Sequence, residues 1–410
     1  MNFIAVIILS VLVLDFCLNL IADILNLGNL SSVLPEAFQV TYDDERYAKS
    51  QAYLKVNTRF DWLVSAVNLF FLLCFWFLGG FNRLDIYVRG FGKGPVFTGI
   101  LFIILLMVFR SVLNLPFGIF HTFVIEERFG FNKTTWKTYV LDRIKGIILA
   151  LIIGLPLLTG VLAFFEYVGT NAWWYCWLVV ILFGMVIRYV GPTWIMPLFN
   201  KFSPLEDGEL KQALFSLAER IEFPLRNVFL MDGSRRSSKS NAFFTGFGRN
   251  KRIVLFDTLV EKTTVSELVA VLGHEMGHYK LKHIWTSTII GILHSGVLFF
   301  LLSLFISLPP LFDAFFMDSV SVYGGMIFFG MLYSPVEILL GLLMQEYSRR
   351  NEFQADRFAV EKTKNPHALA NALKKLSAQN LSNLTPHPFY VMLNYSHPPI
   401  LKRIEALTGE

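Results

Sequence analysis

Seven stretches of this chain are long and apolar enough to cross a lipid bilayer, and this limits the fold more than any other feature. They run at about 3–25, 60–80, 96–121, 146–168, 173–199, 284–308 and 322–347. A spanning helix needs about 20 mostly apolar residues. Backbone N–H and C=O groups in hydrocarbon have no water to bond, so each segment must satisfy its own polar groups as a helix. Composition points the same way: 54% of residues are hydrophobic and 16% are charged, against about 25% charged in an ordinary soluble domain. The expected fold class is mainly α, a polytopic membrane protein. Disorder, a fibrous repeat and a secreted disulfide scaffold are excluded. The first run has no Lys or Arg before it and no small-residue cleavage site, which predicts a retained helix rather than a signal peptide. The last residues, Leu407 to Glu410, carry no lipidation signal.

Two segments hold most of the polar character, 200–283 and 348–410. Neither is long enough to make a comfortable domain alone, so they are expected to fold together on one side of the membrane. The organisation is then 1–199 as membrane helices one to five, 200–283 as the first part of a polar domain, 284–347 as helices six and seven, and 348–410 as its second part. The first polar segment carries Lys201, Lys211, Arg220, Arg226, Arg235, Arg236, Lys239, Arg249, Lys251 and Arg252, and the second opens with Arg349 and Arg350. The links at 169–172 and 309–321 carry no Lys or Arg. The positive-inside rule puts both polar segments in the cytoplasm, and an odd number of spans puts the N-terminus outside. Arg83, Arg89 and Lys93 in the 81–95 loop run against that assignment.

The net charge of +5 is not massed on one predicted face, so no nucleic acid is expected as a partner. Cys17, Cys74 and Cys176 each fall inside an apolar run with no metal or disulfide spacing. Asp15, Arg110, Arg188, His294 and Glu337 sit within the runs. Each is costly against lipid and should face protein or water, which predicts a polar interior enclosed by the helices.

The residues that carry chemistry begin at Thr264. A capping box, Thr264 with Glu267 three residues on, starts a helix near Val265. On that helix His274 and His278 are i,i+4 and project from one face, so two imidazoles can hold one zinc ion. Glu275 lies beside them as general base. The seventh run continues without a Pro or Gly break from Gln345 to Glu352 and Asp356, again i,i+4. Glu352 would complete a His₂Glu site, and Asp356 would accept a hydrogen bond from a ligating imidazole. The segment Asn241–Gly248 followed by Arg252–Phe256 reads as a hairpin whose edge could take an extended peptide by strand addition.

The chain resembles the CAAX prenyl protease 1 family, integral-membrane zinc metalloproteases of the gluzincin type. The resemblance rests on EERFGFN at 126–132, PLFNKFSPL at 197–205, SNAFFTG at 240–246, the zinc motif, NEFQAD at 351–356, and SHPP at 396–399 followed by Arg403. It implies seven transmembrane helices forming an enclosed chamber, capped by a zincin-type metalloprotease domain with one Zn²⁺ per chain. It also implies cleavage of the last three residues from C-terminal tails whose cysteine carries an isoprenoid. By the family pattern Asn241 and Ala242 would hold the substrate backbone. His397 and Arg403 would contact substrate or the tetrahedral oxyanion. The membrane would be the endoplasmic reticulum in a eukaryote or the cytoplasmic membrane in a bacterium. A membrane quality-control zinc protease without prenyl specificity is an alternative, though that type is usually shorter with fewer spans before the motif. A non-catalytic zinc-binding scaffold or transporter is a second, against which an intact Glu275 speaks.

Overall fold

The structure is a computed structural model, and it describes residues 1–245 and 252–409. The turn expected between Asn241 and Gly248 falls partly outside the described residues. The N-terminal half contains α1 (Phe3–Gly28), α2 (Asp44–Phe77), α3 (Gly80–Arg89), α4 (Pro95–Phe120), α5 (Trp136–Leu149), α6 (Leu155–Tyr167) and α7 (Ala172–Val190). The remainder contains α8 (Glu209–Arg220), α9 (Asp257–Val260), α10 (Val265–Lys280), α11 (His283–Phe305), α12 (Pro309–Asp313), α13 (Val322–Thr363), α14 (Pro366–Gln379), α15 (Pro388–Asn394) and α16 (Ile400–Thr408). Helices long and apolar enough to cross a membrane are Phe3–Gly28, Asp44–Phe77, Pro95–Glu126, Trp136–Tyr167, Ala172–Leu198, His283–Phe305 and Val322–Thr363. These are the seven expected spans. π-helical turns at His121–Glu126, Ala150–Gly154 and Gly191–Ile195 lie within three of them.

Two spans run well beyond their apolar stretches. The polar start of α2 reaches the polar domain, where Arg46 Nε donates to the carbonyl of Ala378 at 3.1 Å. The end of α13 carries Glu352 and Asp356 into the same domain. An apolar run marks the part of a helix that meets lipid, so it underestimates helices that continue into protein.

The spans share an apolar core only toward one end. Only 6 to 17% of the residues in the most apolar stretch of each are buried. The spans touch one another in a circuit, with α13 also reaching across to α4 and α6. α1 packs on α2, α4 on α6, α6 on α7, α7 on α11, α11 on α13, and α13 back on α1. Asn68 and Asn114 join α2 to α4 through hydrogen bonds of 3.1 and 3.0 Å.

One end of the ring is closed by an apolar plug that includes Trp76, Phe81, Phe102, Leu162, Phe315 and Phe328. Within it the rings of Phe315 and Phe328 stack at 4.0 Å, and Trp76 donates to the carbonyl of Ala314 at 2.7 Å. Helix α1 shows the two-sided character of the wall. Val6, Leu14, Ile21 and Ile24 are exposed on one side. Asp15, Asn19 and Asp23 face the other way, into a cavity of about 760 Å³ between α1, α2, α4 and α13 that Arg110 also lines. The other intramembrane polar groups have partners too: His294 Nε2 lies 3.2 Å from Glu337 Oε1, and Arg188 donates to Thr288. α1, α2, α4 and α13 thus line a partly polar cavity.

The polar domain covers the opposite end. Its sheet has the order β1 (Phe202–Pro204), β2 (Val228–Met231), β4 (Arg252–Phe256), β3 (Ala242–Thr245). β2 and β4 are parallel and the other two pairings antiparallel. β3 and β4 are the two expected hairpin strands, paired from Ala242↔Leu255 to Thr245↔Arg252. β3 is therefore an edge strand among the described residues. Leu214, Leu217, Ile253, Leu255, Leu272 and Met276 form the core between the sheet, α8 and α10.

Candidate active site

Two helices build the site, and their residues explain why they meet so closely. α10 starts at the expected capping box. Glu267 N–H donates to Thr264 Oγ1 at 3.4 Å, and Thr264 N–H donates to Glu267 Oε2 at 2.8 Å. Lys375 on α14 also bonds Glu267 Oε2, at 2.8 Å. Downstream, α10 turns Gly273 and Gly277 toward Ala355 and Ala359 of α13. A Cβ at Gly277 would lie 3.3 Å from the Cα and O of Ala355 and 3.1 Å from Phe358 Cδ1. The glycines and alanines let the two backbones approach. His274 and His278 are then brought against Glu352 and Asp356.

At this seam His274, His278 and Glu352 each offer a donor atom, all within 4.8 Å of one another. The two Nε2 atoms are 3.1 Å apart. A tetrahedral ion with N ligands at 2.0–2.1 Å sets two such nitrogens about 3.3 Å apart. Glu352 Oε2 lies 3.4 Å from His274 Nε2, and Oε1 lies 3.3 Å from His278 Nε2. Glu352 is only 4% exposed, and its Oε2 makes no hydrogen bond of ordinary geometry, its nearest neighbours being the positive Arg403 Nη1 and the His274 ring at 3.3 and 3.4 Å. A buried carboxylate oxygen left in that state is costly, and a metal ion among these three donors would satisfy it. The donor set fits a metal.

On the far side of His274, Nδ1 donates to Asp356 Oδ1 at 2.8 Å. Burial opposes charge on this imidazole, but its hydrogen bonds to Asp356 and Glu352 prevail and push its pKa up to about 9. Glu275 follows His274 on α10 and is half-buried. His397, two-thirds exposed, places Nε2 3.4 Å from Glu352 Oε1.

Arg403, expected to contact substrate or the oxyanion, is held here by carboxylates. It is 6% exposed, and its Nε and Nη2 grip Asp356 at 2.8 and 2.6 Å, with Nη1 3.3 Å from Glu352 Oε2. Asn241 and Ala242 lie at the start of edge strand β3, which packs on α10. Asn241 accepts the N–H of Ala242 on its side-chain oxygen (2.8 Å) and that of Phe256 on its carbonyl (3.1 Å).

Sequence reasoning passed over His283 and Gln354. His283 Nδ1 sits 3.1 Å from His278 Nδ1. A third histidine five residues beyond His278 was the available signal, but it reads as the first residue of a membrane span.

A seven-span ring capped by this two-helix metal-binding seam defines an integral-membrane metalloprotease. Residues 23–201 match the family model for the CAAX prenyl protease N-terminal region, five membrane helices, and residues 204–410 match peptidase family M48. The CAAX prenyl protease 1 homolog of Arabidopsis thaliana is 36% identical, covering 92% of this chain and 91% of that one. CAAX prenyl protease 1 of Saccharomyces cerevisiae is 35% identical, covering 91% and 88%. The crystal structure of S. mikatae Ste24p is similar with a TM-score of 0.91 at 34% identity, covering 99% of each chain. The chain belongs to the CAAX prenyl protease 1 family of M48 metalloproteases.

Proposed function

We propose that this membrane metalloprotease uses one zinc ion per chain, held by His274, His278 and Glu352, to cleave the C-terminal tails of isoprenylated CAAX-type proteins. The observation that carries the metal assignment is the convergence of three donor atoms, His274 Nε2, His278 Nε2 and a buried Glu352 carboxylate oxygen, within 4.8 Å of one another. The substrate class follows from the relatives that bear the CAAX prenyl protease name. When bound, zinc supplies Lewis acidity that polarises a scissile carbonyl and makes water more acidic.

The chain's own residues do the rest. Glu275 takes the proton from the attacking water and delivers it to the leaving amine. Asp356 keeps the His274 proton on Nδ1, leaving Nε2 free as a ligand. Arg403, gripping Asp356 and close to Glu352, positions those two carboxylates rather than touching substrate. His397 is exposed at the edge of the site and donates to the developing oxyanion. The substrate backbone adds to the free edge of β3 beside Asn241 and Ala242, which supply hydrogen bonds regardless of side-chain sequence.

Residues 200–283 and 348–410 form the protease domain on the cytoplasmic side, with the two intervening spans returning the chain through the bilayer. In a eukaryotic cell that bilayer is the endoplasmic reticulum. The test is zinc analysis of the purified protein together with cleavage of a farnesylated CAAX peptide and its unprenylated twin. Cleavage of the farnesylated peptide with higher kcat/KM, abolished by chelator and restored by zinc, is expected. Equal cleavage of both twins would favour a general quality-control protease.

A further inference from the structure

Behind His278 runs a hydrogen-bond chain that differs from the one behind His274. His278 Nε2 is turned toward His274 Nε2 at 3.1 Å and Glu352 Oε1 at 3.3 Å. As a metal ligand that nitrogen carries no proton, so the proton of the neutral ring sits on Nδ1. His278 Nδ1 lies 3.1 Å from His283 Nδ1, which must therefore accept. A neutral His283 then carries its own proton on Nε2, which lies 3.1 Å from Gln354 Oε1. An amide oxygen only accepts. Every link has a single workable direction, from His278 through His283 to Gln354.

The backbone is built to hold this arrangement. α10 and α11 are separated by Leu281 and Lys282 alone. Lys282 adopts a left-handed conformation with φ of 61°, which residues other than Gly, Asn and Asp seldom take. That turn folds His283, only 6% exposed, back against His278.

We propose that His283 and Gln354 are positioning residues that fix the tautomer and ring orientation of His278 for metal binding. The effect is to register the first residue of a membrane span to the metal site. This rests on the zinc-ligand assignment above. It gives the two ligating histidines unequal support: His274 is backed by a carboxylate, and His278 by a neutral chain.

The experiment measures zinc affinity by chelator competition on the full-length, detergent-solubilised protein, with thermal unfolding of the zinc-free form as a folding control. His283→Leu should weaken zinc binding about 10–100-fold, as loss of a ligand's hydrogen-bond partner does. His283→Asn, whose side-chain oxygen can take the acceptor position of Nδ1, should recover most of that loss. A residue serving only to pack would not show this rescue. Gln354→Leu leaves His283 in place and should weaken binding less. Wild-type affinity in both His283→Leu and Gln354→Leu would overturn the proposal, as would an Asn variant as weak as the Leu variant. His274→Ala is the separate control: wild-type affinity there would overturn the ligand assignment itself, and this inference with it.

Discussion

At His274 one imidazole meets two carboxylates and a guanidinium. Without metal its pKa stands at about 9, raised by Asp356 and Glu352 against the effect of burial. Below that pH the ring is protonated, and a metal ion must displace the proton to bind. Zinc affinity should therefore rise with pH up to about 9, falling about tenfold per unit as pH drops from 8 to 7. Chelator competition at both pH values checks this, and Asp356→Asn should flatten the slope by removing the charge that favours the proton. Glu275→Gln separates binding from chemistry. It should keep zinc and lose peptidase activity by about 10²–10⁴-fold, the usual contribution of a general base; a zinc-loaded variant cleaving near the wild-type rate would remove Glu275 from that role. The pairs His274/His278 and Glu352/Asp356 were each legible in the sequence because i,i+4 spacing is helix geometry and needs no tertiary information. The grip of Arg403 on Asp356 was not, because it depends on how α16 docks against a residue 47 positions earlier in the chain.

At the scale of elements, the α10–α13 seam sets the spacing of the donor groups, and its tolerance for added volume is small. Gly277→Leu should push α10 away from Ala355 and Phe358, destabilising the protein by about 1–3 kcal/mol as overpacking does and lowering zinc occupancy. Thermal unfolding with elemental analysis reads both, and an unchanged melting temperature with full zinc would mean that the close approach is not structural. The spans themselves were legible because lipid imposes long apolar runs. The polar extensions of α2 and α13 beyond those runs were not. The parallel pairing of β2 with β4 was also hidden, since strands this short leave little periodicity and their partners are separated by intervening chain. The β3–β4 hairpin was visible because its strands are close in sequence.

For the whole molecule, the proposed cytoplasmic protease domain over an enclosing set of helices makes two predictions, one on topology and one on substrate choice. If residues 200–283 face the cytoplasm, a lone cysteine placed at Asp207 in a cysteine-free background should resist an impermeant thiol reagent in intact bacteria, and one at Asp318 should react. The reverse pattern would invert the chain in the membrane. The same enclosure bears on what can be cut. The donor groups lie on α10, which leads through a two-residue turn into span α11, and on the continuation of span α13. In the proposed arrangement this would hold the site close to the membrane surface, above the space between the helices. A flexible chain end can thread into such a space, and a folded domain cannot. An isoprenoid on the same end gains about 0.8 kcal/mol for each CH₂ it buries in the apolar wall or the bilayer. A short flexible tail should therefore be cleaved, prenylation should raise its kcat/KM, and the same sequence fixed in a rigid loop of a stable soluble domain should survive. The loop-borne sequence and the free tail are compared under identical enzyme and time. Cleavage of the loop at the rate of the tail would mean that the metal site opens directly to bulk solvent, and an enclosing role for the seven helices would have to be given up.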